Sequence, residues 1–183
     1  QYRGSSFLLK ADGEQLFPEW MGLKEWPHLQ KGMASAPFDN EGVATRNRTL
    51  VENGVLRGYL LGSYSARKLG LQTTGSAGGL HNLVVTPDQT ISPEDMLKQM
   101  GTGLLIGELM GQGVNGVTGD YSRGAAGFWV EDGEILYPVH EITVAGNLRD
   151  MYRGIQAIGN DMDARGAIHS GSFLMDPMMV AGD

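Results

Sequence analysis

Three short patterns in this chain carry residue types that could do chemistry at their spacing. Gly111-Gln112-Gly113-Val114-Asn115-Gly116 matches G-x-G-x-x-G, the spacing with which a dinucleotide loop cradles a pyrophosphate, and it follows a strand-like run. Its context opposes that use. A dinucleotide loop must run into a helix whose first N–H groups face the phosphates, whereas Val117-Thr118-Gly119-Asp120-Tyr121 has no helical pattern and sets a carboxylate where phosphate would sit. Asp120-Tyr121-Ser122-Arg123-Gly124 would be a nucleophile elbow if its first position were glycine. With Asp120 there, Ser122 is expected to hydrogen-bond its own loop instead. His140-Glu141 opens like a zincin helix, yet no histidine follows at the H-E-x-x-H spacing and the segment reads as strand. His140 is therefore expected to be structural or solvent-facing.

His28, His81 and His169 are scattered, so a three-histidine site would need the fold to gather them. His28 is expected as a surface or packing residue. The absence of cysteine excludes disulfides, thiolate metal sites and a cysteine nucleophile within this chain. A formal charge of −7, with 14 Lys and Arg in no basic cluster, argues against a phosphate-neutralising surface for DNA or an anionic membrane. No apolar run approaches the ~20 residues that span a bilayer, and the first residues lack a charged-then-apolar signal pattern. At 183 residues and 41% hydrophobic content the chain can bury one sizeable core, so a single domain over residues 1–183 is expected.

The elements that must position these residues centre on Met110–Asn147, where a glycine-rich loop meets a hairpin. Phe128-Trp129-Val130 and Ile135-Leu136-Tyr137 flank Asp132-Gly133, a pair suited to a type I′ turn, and Pro138 predicts that pairing weakens soon after, making the hairpin short. Asn53-Gly54 predicts a second hairpin between Thr49–Glu52 and Val55–Leu60. A third, Ser6–Leu9 returning through Gln15–Phe17 around Asp12-Gly13, echoes the central one and raises the question of an internal duplication. Trp20–Phe38 has neither period and is expected to be an irregular crossing segment.

Ser63–Leu69 is expected as a short helix stopped by Gly70, and Ser92-Pro93-Glu94-Asp95 starts another that Gly101 ends. Leu80–Val85, Leu104–Ile106 and Ile142–Ala145 read as strands. Asn147 caps a helix with the face Leu148, Met151, Ile155 and Ile158, stopped by Gly159, and Ser172–Met175 and Met178–Ala181 make two final strands. The fold class is therefore α+β and β-rich: antiparallel hairpins forming a sheet or partly open barrel, with a few short helices.

The run Gly119-Asp120-Tyr121-Ser122-Arg123-Gly124-Ala125-Ala126-Gly127-Phe128-Trp129, followed by Gly133-Glu134, Pro138, Glu141-Ile142-Thr143 and Ala145-Gly146-Asn147-Leu148, closely resembles the TldD/PmbA family, on its PmbA/TldE-type branch. Ser63–Leu71 and Met100-Gly101-Thr102-Gly103 are similar to two further blocks in the same order. The likeness covers the C-terminal half of proteins about twice this length, so the chain is expected to be a fragment that lacks the N-terminal half.

The resemblance implies a cytoplasmic TldD–PmbA complex that cleaves unfolded peptides and matures a gyrase-targeting peptide antibiotic, under the older label of modulator of DNA gyrase. It also implies zinc in the TldD-type partner. TldD-type members have a helical His-Glu-x-x-x-His upstream and a cysteine near the C-terminus, to which Ser170 of His169-Ser170-Gly171 is matched. Serine keeps its proton at neutral pH and ligates zinc poorly, so no cofactor is expected in this chain.

The expected role is a non-catalytic subunit that shapes the chamber, with Gly119, Asp120, Tyr121, Ser122, Arg123 and Gly124 receiving an extended peptide through a glycine-rich strand edge. The alternatives are a zinc metallopeptidase in its own right and a protein-binding gyrase modulator without protease activity. Expected partners are a TldD-type subunit, an unfolded peptide and a second copy in a homodimer, with no direct nucleic acid and no membrane. Trp20, Trp26, Phe38, Trp129, Met175, Met178 and Met179 are expected to contribute an apolar surface that a second copy or the TldD partner covers.

Overall fold

A computed structural model describes residues 1–182. In chain order the elements are β1 (Met21–Glu25), β2 (Arg48–Glu52), β3 (Val55–Leu56), α1 (Ser63–Leu69), β4 (Leu83–Pro87), α2 (Pro93–Met100), β5 (Gly103–Met110), β6 (Asp120–Glu131), β7 (Glu134–Asn147), α3 (Leu148–Arg153), β8 (Ile155–Ile158), β9 (Ile168–His169), β10 (Phe173–Met175) and β11 (Met179–Ala181). They fall into two compact units, residues 1–89 with 161–171, and residues 90–160 with 172–183. Among the described residues strands dominate, pairing between the named strands is antiparallel except between β4 and β9, and no sheet closes into a barrel, in accord with the α+β, β-rich expectation.

The first unit holds a five-stranded sheet in the order β3-β2-β1-β4-β9. Asn53 and Gly54 have φ of 50° and 74°, so the β2–β3 hairpin turns as its sequence predicts. The central strand was not legible: β1 lies inside Trp20–Phe38, the stretch expected to be irregular. Its five residues are too few to show a period, and Met21, Gly22 and Glu25 are buried between β2 and β4.

The Ser6–Phe17 hairpin does not form. Gly54 O accepts from the N–H groups of Leu16 and Phe17, and Gly13 N donates to Leu56 O, so the segment pairs with the β2–β3 hairpin, while its internal bonds, such as Leu9 N to Ser6 O and Glu14 N to Ala11 O, are local turns. Of the two echoing segments, only the later one is a hairpin.

Polar groups tie the irregular segments of this unit to the sheet. Asp39 accepts from the N–H groups of Glu41, Val43 and Ala77 at 2.9, 3.0 and 3.0 Å. Burial opposes its ionisation, but these three donors outweigh that and hold its carboxyl below the usual range. Asn82, fully buried with φ of 47°, donates to Trp26 O and Ser35 Oγ and accepts from Ala34 N. Helix α1 has no side-chain cap of its own. Glu41 Oε2 instead accepts from Ser63 N at 2.7 Å at its N-terminus, and Gly70 closes it in the left-handed conformation.

The second unit holds a four-stranded sheet, β11-β7-β6-β5, and a two-stranded one, β10-β8. Helix α2 follows its sequence signals, with Ser92 Oγ accepting from Asp95 N, Pro93 in the first turn and Gly101 at the end. The central hairpin is longer than expected, 12 residues in β6 and 14 in β7, around Asp132 (φ 52°) and Gly133 (φ 78°). Pro138 does not end it. Among the described residues strand β11 pairs β7 at Thr143–Ala145, so at Pro138 the strand has a neighbour on one side and a missing N–H can face outward.

The expected helix over Leu148–Ile158 is likewise corrected. It stops at Gly154, whose N–H caps Asp150 O, and Ile155–Ile158 pairs with Phe173–Met175 as β8. Ile155, Ala157 and Ile158 are buried there, and the spacing of the two β-branched isoleucines also fits a helix face.

Candidate functional site

Residues directly opposite in an antiparallel pair share a face, and the register of β5, β6 and β7 sorts the central sheet into two. On one face Tyr121 packs against Ala125, Ile142 and Val144, together with Leu104, Ile106 and Val139, to make the buried core of this sheet. On the other, Ser122 stands beside Ala145 and Met179, Gly124 beside Met110 and Thr143, Ala126 beside Glu108, and Phe128 beside Leu105 and Pro138. This second face is open. A Cβ added to Gly124 would meet nothing nearer than Met110 Cβ at 3.6 Å, so the space above the floor is free. Met110, Phe128 and Met179 are exposed along it, Met179 by 74%.

Of the sequence-predicted residues, Gly119 ends the loop before β6, with φ of 86° and its N–H donating to Asn115 O, and Asp120, Tyr121, Ser122, Arg123 and Gly124 divide between these faces. Asp120, Ser122 and Gly124 belong to the open one. Tyr121 joins the core, and Arg123, opposite Val144, donates to Leu109 O at 2.9 Å and to Met110 O at 3.4 Å. Their strand is interior to the sheet, not an edge. On one side β7 pairs it from Asn147 to Thr143. On the other the loop folds back, with Ser122 N donating to Gly113 O and Asn115 N to Asp120 O, both near 2.8 Å.

Backbone donors at Ser122 and acceptors at Asp120 are thus engaged within the sheet, so what this segment offers a ligand is its open face. Ser122 meets its loop through its N–H rather than its hydroxyl.

The loop from Gly111 to Gly119 is itself built. Asn115 Oδ1 accepts from Val117 N and Thr118 N, Thr118 Oγ1 donates to Asp120 Oδ2 at 2.6 Å, and Asn147 Nδ2 donates to Thr118 O and Asp120 Oδ1. Asn147 also accepts from Arg149 N, which starts α3. A Cβ at Gly113 would lie 1.4 Å from Ser122 O, so only glycine fits that contact.

At the row of Ala126 both neighbouring strands are irregular. Gly107 is an extra residue on β5, and His140 and Glu141 together face Ala126 from β7, Glu141 with φ of 57°. Such bulges re-aim side chains, and Glu108, His140 and Glu141 are all exposed there.

Sequence reasoning missed a second polar assembly, in the other unit. Glu25, 2% exposed, accepts from His81 N at 2.9 Å, lies 3.2 Å from His81 Nδ1 and 3.8 Å from Arg48 Nη1. Arg48 also donates to Ser76 Oγ and Tyr59 O. Desolvation lowers the guanidinium's pKa, and Glu25 opposes that shift. Glu25 sits in β1, the strand no pattern announced, which is why the pairing was invisible.

Among the described residues no three His, Asp or Glu side chains are gathered as a metal would require. Ser170 donates its hydroxyl to Gly171 O at 2.9 Å, and His169 Nε2 lies 3.2 Å from Gly166 O. His28 Nε2 lies 3.0 Å from Thr45 Oγ1, and His140 is exposed. A hydroxyl that keeps its proton and a single nearby imidazole do not fit zinc. Of the expected apolar surface residues, Phe38 and Met179 are exposed, and Trp20, Trp26, Trp129, Met175 and Met178 are half-buried.

Comparison with known proteins places this arrangement. A sequence profile described as the PmbA/TldA metallopeptidase C-terminal domain matches residues 1–182. Metalloprotease PmbA of Escherichia coli O157:H7 is 59% identical over 181 residues, which is 99% of this chain and 40% of that protein, so the chain spans well under half the length of such a relative. A solved structure of a proposed modulator of a DNA gyrase from Thermotoga maritima superposes with a TM-score of 0.88 at 38% identity, covering 98% of this chain and 43% of that one. TldE from Thermococcus kodakarensis shares the fold, with a TM-score of 0.80 at 22% identity over 99% of this chain and 46% of its own. The chain belongs to the PmbA/TldA metallopeptidase family, as its C-terminal domain.

Proposed function

We propose that this chain is the C-terminal part of a non-catalytic, PmbA-type subunit that shapes the peptide-binding chamber of a TldD–PmbA metallopeptidase. In this reading the TldD-type partner holds the zinc, the substrates are unfolded peptides, among them a peptide-antibiotic precursor, and the complex works in the cytoplasm. No helix among the described residues is long and apolar enough to cross a membrane.

The observation that carries the reading is the open face of the β5–β6–β7 sheet. It has a floor of Ser122, Gly124, Ala126 and Ala145, free space above Gly124 and apolar side chains at its sides. A flat, small-residue floor accepts extended chains of many sequences, because no large side chain has to be matched. Ser122 belongs to that floor, and no base for its hydroxyl is provided among its hydrogen bonds.

Metal analysis of the full-length protein, dialysed and free of its partner, is expected to give well under one zinc per chain. The assembled complex is expected to hold zinc in proportion to the TldD-type subunit. Stoichiometric zinc in the protein alone would establish a metallopeptidase in its own right and end this reading.

A further inference from the structure

The negative charge of the chain is concentrated in one unit. Residues 90–160 and 172–183 carry 11 Asp and Glu against 4 Lys and Arg and so hold the whole formal −7, while the other unit balances ten against ten. Within the four-stranded sheet the carboxylates of Glu108, Asp120, Glu131, Glu134 and Glu141 are all exposed, against one arginine and no lysine. That arginine, Arg123, donates to Leu109 O and Met110 O and lies on the opposite face from Ser122.

The open face therefore has no lysine or arginine of its own, and His140, in the bulge facing Ala126, is its one imidazole among the described residues. Asp120 and Glu108 stand on this face, and Glu141 stands in the bulge opposite Ala126. Between and beside them Met110, Phe128 and Met179 offer apolar surface, each at least 40% exposed.

We propose that this open face docks an extended peptide segment in which apolar residues alternate with lysine or arginine, a cationic–apolar class of unfolded chain. The proposal rests on the peptide-handling role above and adds its charge preference and its location. Apolar contact with Met110, Phe128 and Met179 draws in any unfolded chain, whereas Glu108, Asp120 and Glu141 fix the sign of the charge it brings. A peptide carrying carboxylates at the same positions meets like charge with no lysine or arginine on that face to relieve it, His140 standing beside Glu141 and within the same acidic group.

The same argument disfavours a second copy of this chain as the occupant. Two-fold pairing would set identical carboxylate-rich faces against each other. Nucleic acid and anionic lipid are disfavoured for the same reason.

The test uses the full-length protein and three fluorescein-labelled, unstructured peptides of about twelve residues. All share the same apolar positions and carry lysine, glutamine or glutamate between them. Fluorescence anisotropy is read at about 0.05 M and 0.3 M KCl, on either side of physiological screening. The lysine peptide is expected to bind roughly tenfold more tightly than the glutamate peptide at low salt. That preference should shrink at high salt and be abolished by Glu108→Lys with Glu141→Lys.

Equal binding of all three peptides to the unmodified protein would overturn the charge preference while leaving peptide handling intact. A lysine preference that survives the double variant would overturn the location. Failure of every peptide to bind would remove the peptide-handling role as well. A change of oligomeric state in the double variant, without a change in peptide binding, would give the face to a second copy.

Discussion

Replacing Glu25 by alanine is expected to destabilise the first unit by about 3 kcal/mol, the lower end of the range for removing one partner from a buried ion pair. The side chain is 2% exposed in the central strand β1, and three groups depend on it: the backbone N–H and Nδ1 of His81, and the guanidinium of Arg48. Without it the His81 N–H has no carboxylate to meet, and Arg48 keeps a desolvated charge with only Ser76 and Tyr59 as partners. The lower end applies because Arg48 remains 13% exposed and can recover some hydration.

Urea unfolding followed by Trp20 and Trp26 in a Trp129→Phe background reports this unit, and a drop in the midpoint at unchanged slope is the expected result. An unchanged midpoint would mean that the cluster is spectator chemistry. Adding Arg48→Met to the Glu25→Ala variant is expected to restore part of the loss, because the unpaired charge is then gone.

The second large effect separates two glycines that the sequence alone treats alike. Gly127→Val is expected to cost about 2–4 kcal/mol and to disrupt the β5–β6 pairing, in the manner of an overpacked site. A Cβ at Gly127 would lie 2.0 Å from Leu105 O and 3.0 Å from Ile106 Cα, backbone atoms that cannot rotate away. Gly124→Ala is expected to stay within about 0.5 kcal/mol of the parent, since its Cβ would find ordinary contact with Met110 at 3.6 Å. Amide hydrogen exchange over Gly103–Met110 reads the pairing directly. Unchanged protection in Gly127→Val, or a loss in Gly124→Ala as great as in Gly127→Val, would contradict the assigned contacts.

These two cases show what the sequence made legible. Turns were readable wherever the chemistry is local. Asn53-Gly54 and Asp132-Gly133 adopt positive φ, Ser92 and Asn147 cap helices, and Gly70 and Gly101 end them. Long-range pairing was not readable. Asp12-Gly13 has the same turn chemistry, yet its flanks are captured by the β2–β3 turn, and β1 is a central strand of five residues with no period to show.

The candidate site was half legible. The segment Gly119–Gly124 was marked by its glycines and its family blocks, but not that β6 is interior, which turns the offered surface from a backbone edge into a sheet face. The expectation that Pro138 limits the hairpin failed because local chemistry cannot say which side of a strand has a neighbour. The charge concentration became visible only when the unit boundaries assigned each carboxylate to its half.

The central claim, a subunit that shapes the binding of peptides without cutting them, is tested most directly by reconstituting hydrolysis of a disordered peptide from separately purified full-length proteins. The account predicts that this protein alone releases no product, that turnover appears on adding the TldD-type partner and is abolished by a chelator, and that Ser122→Ala leaves the rate within about twofold. Chelator-sensitive hydrolysis by this protein alone, at the rate of the mixture, would contradict it.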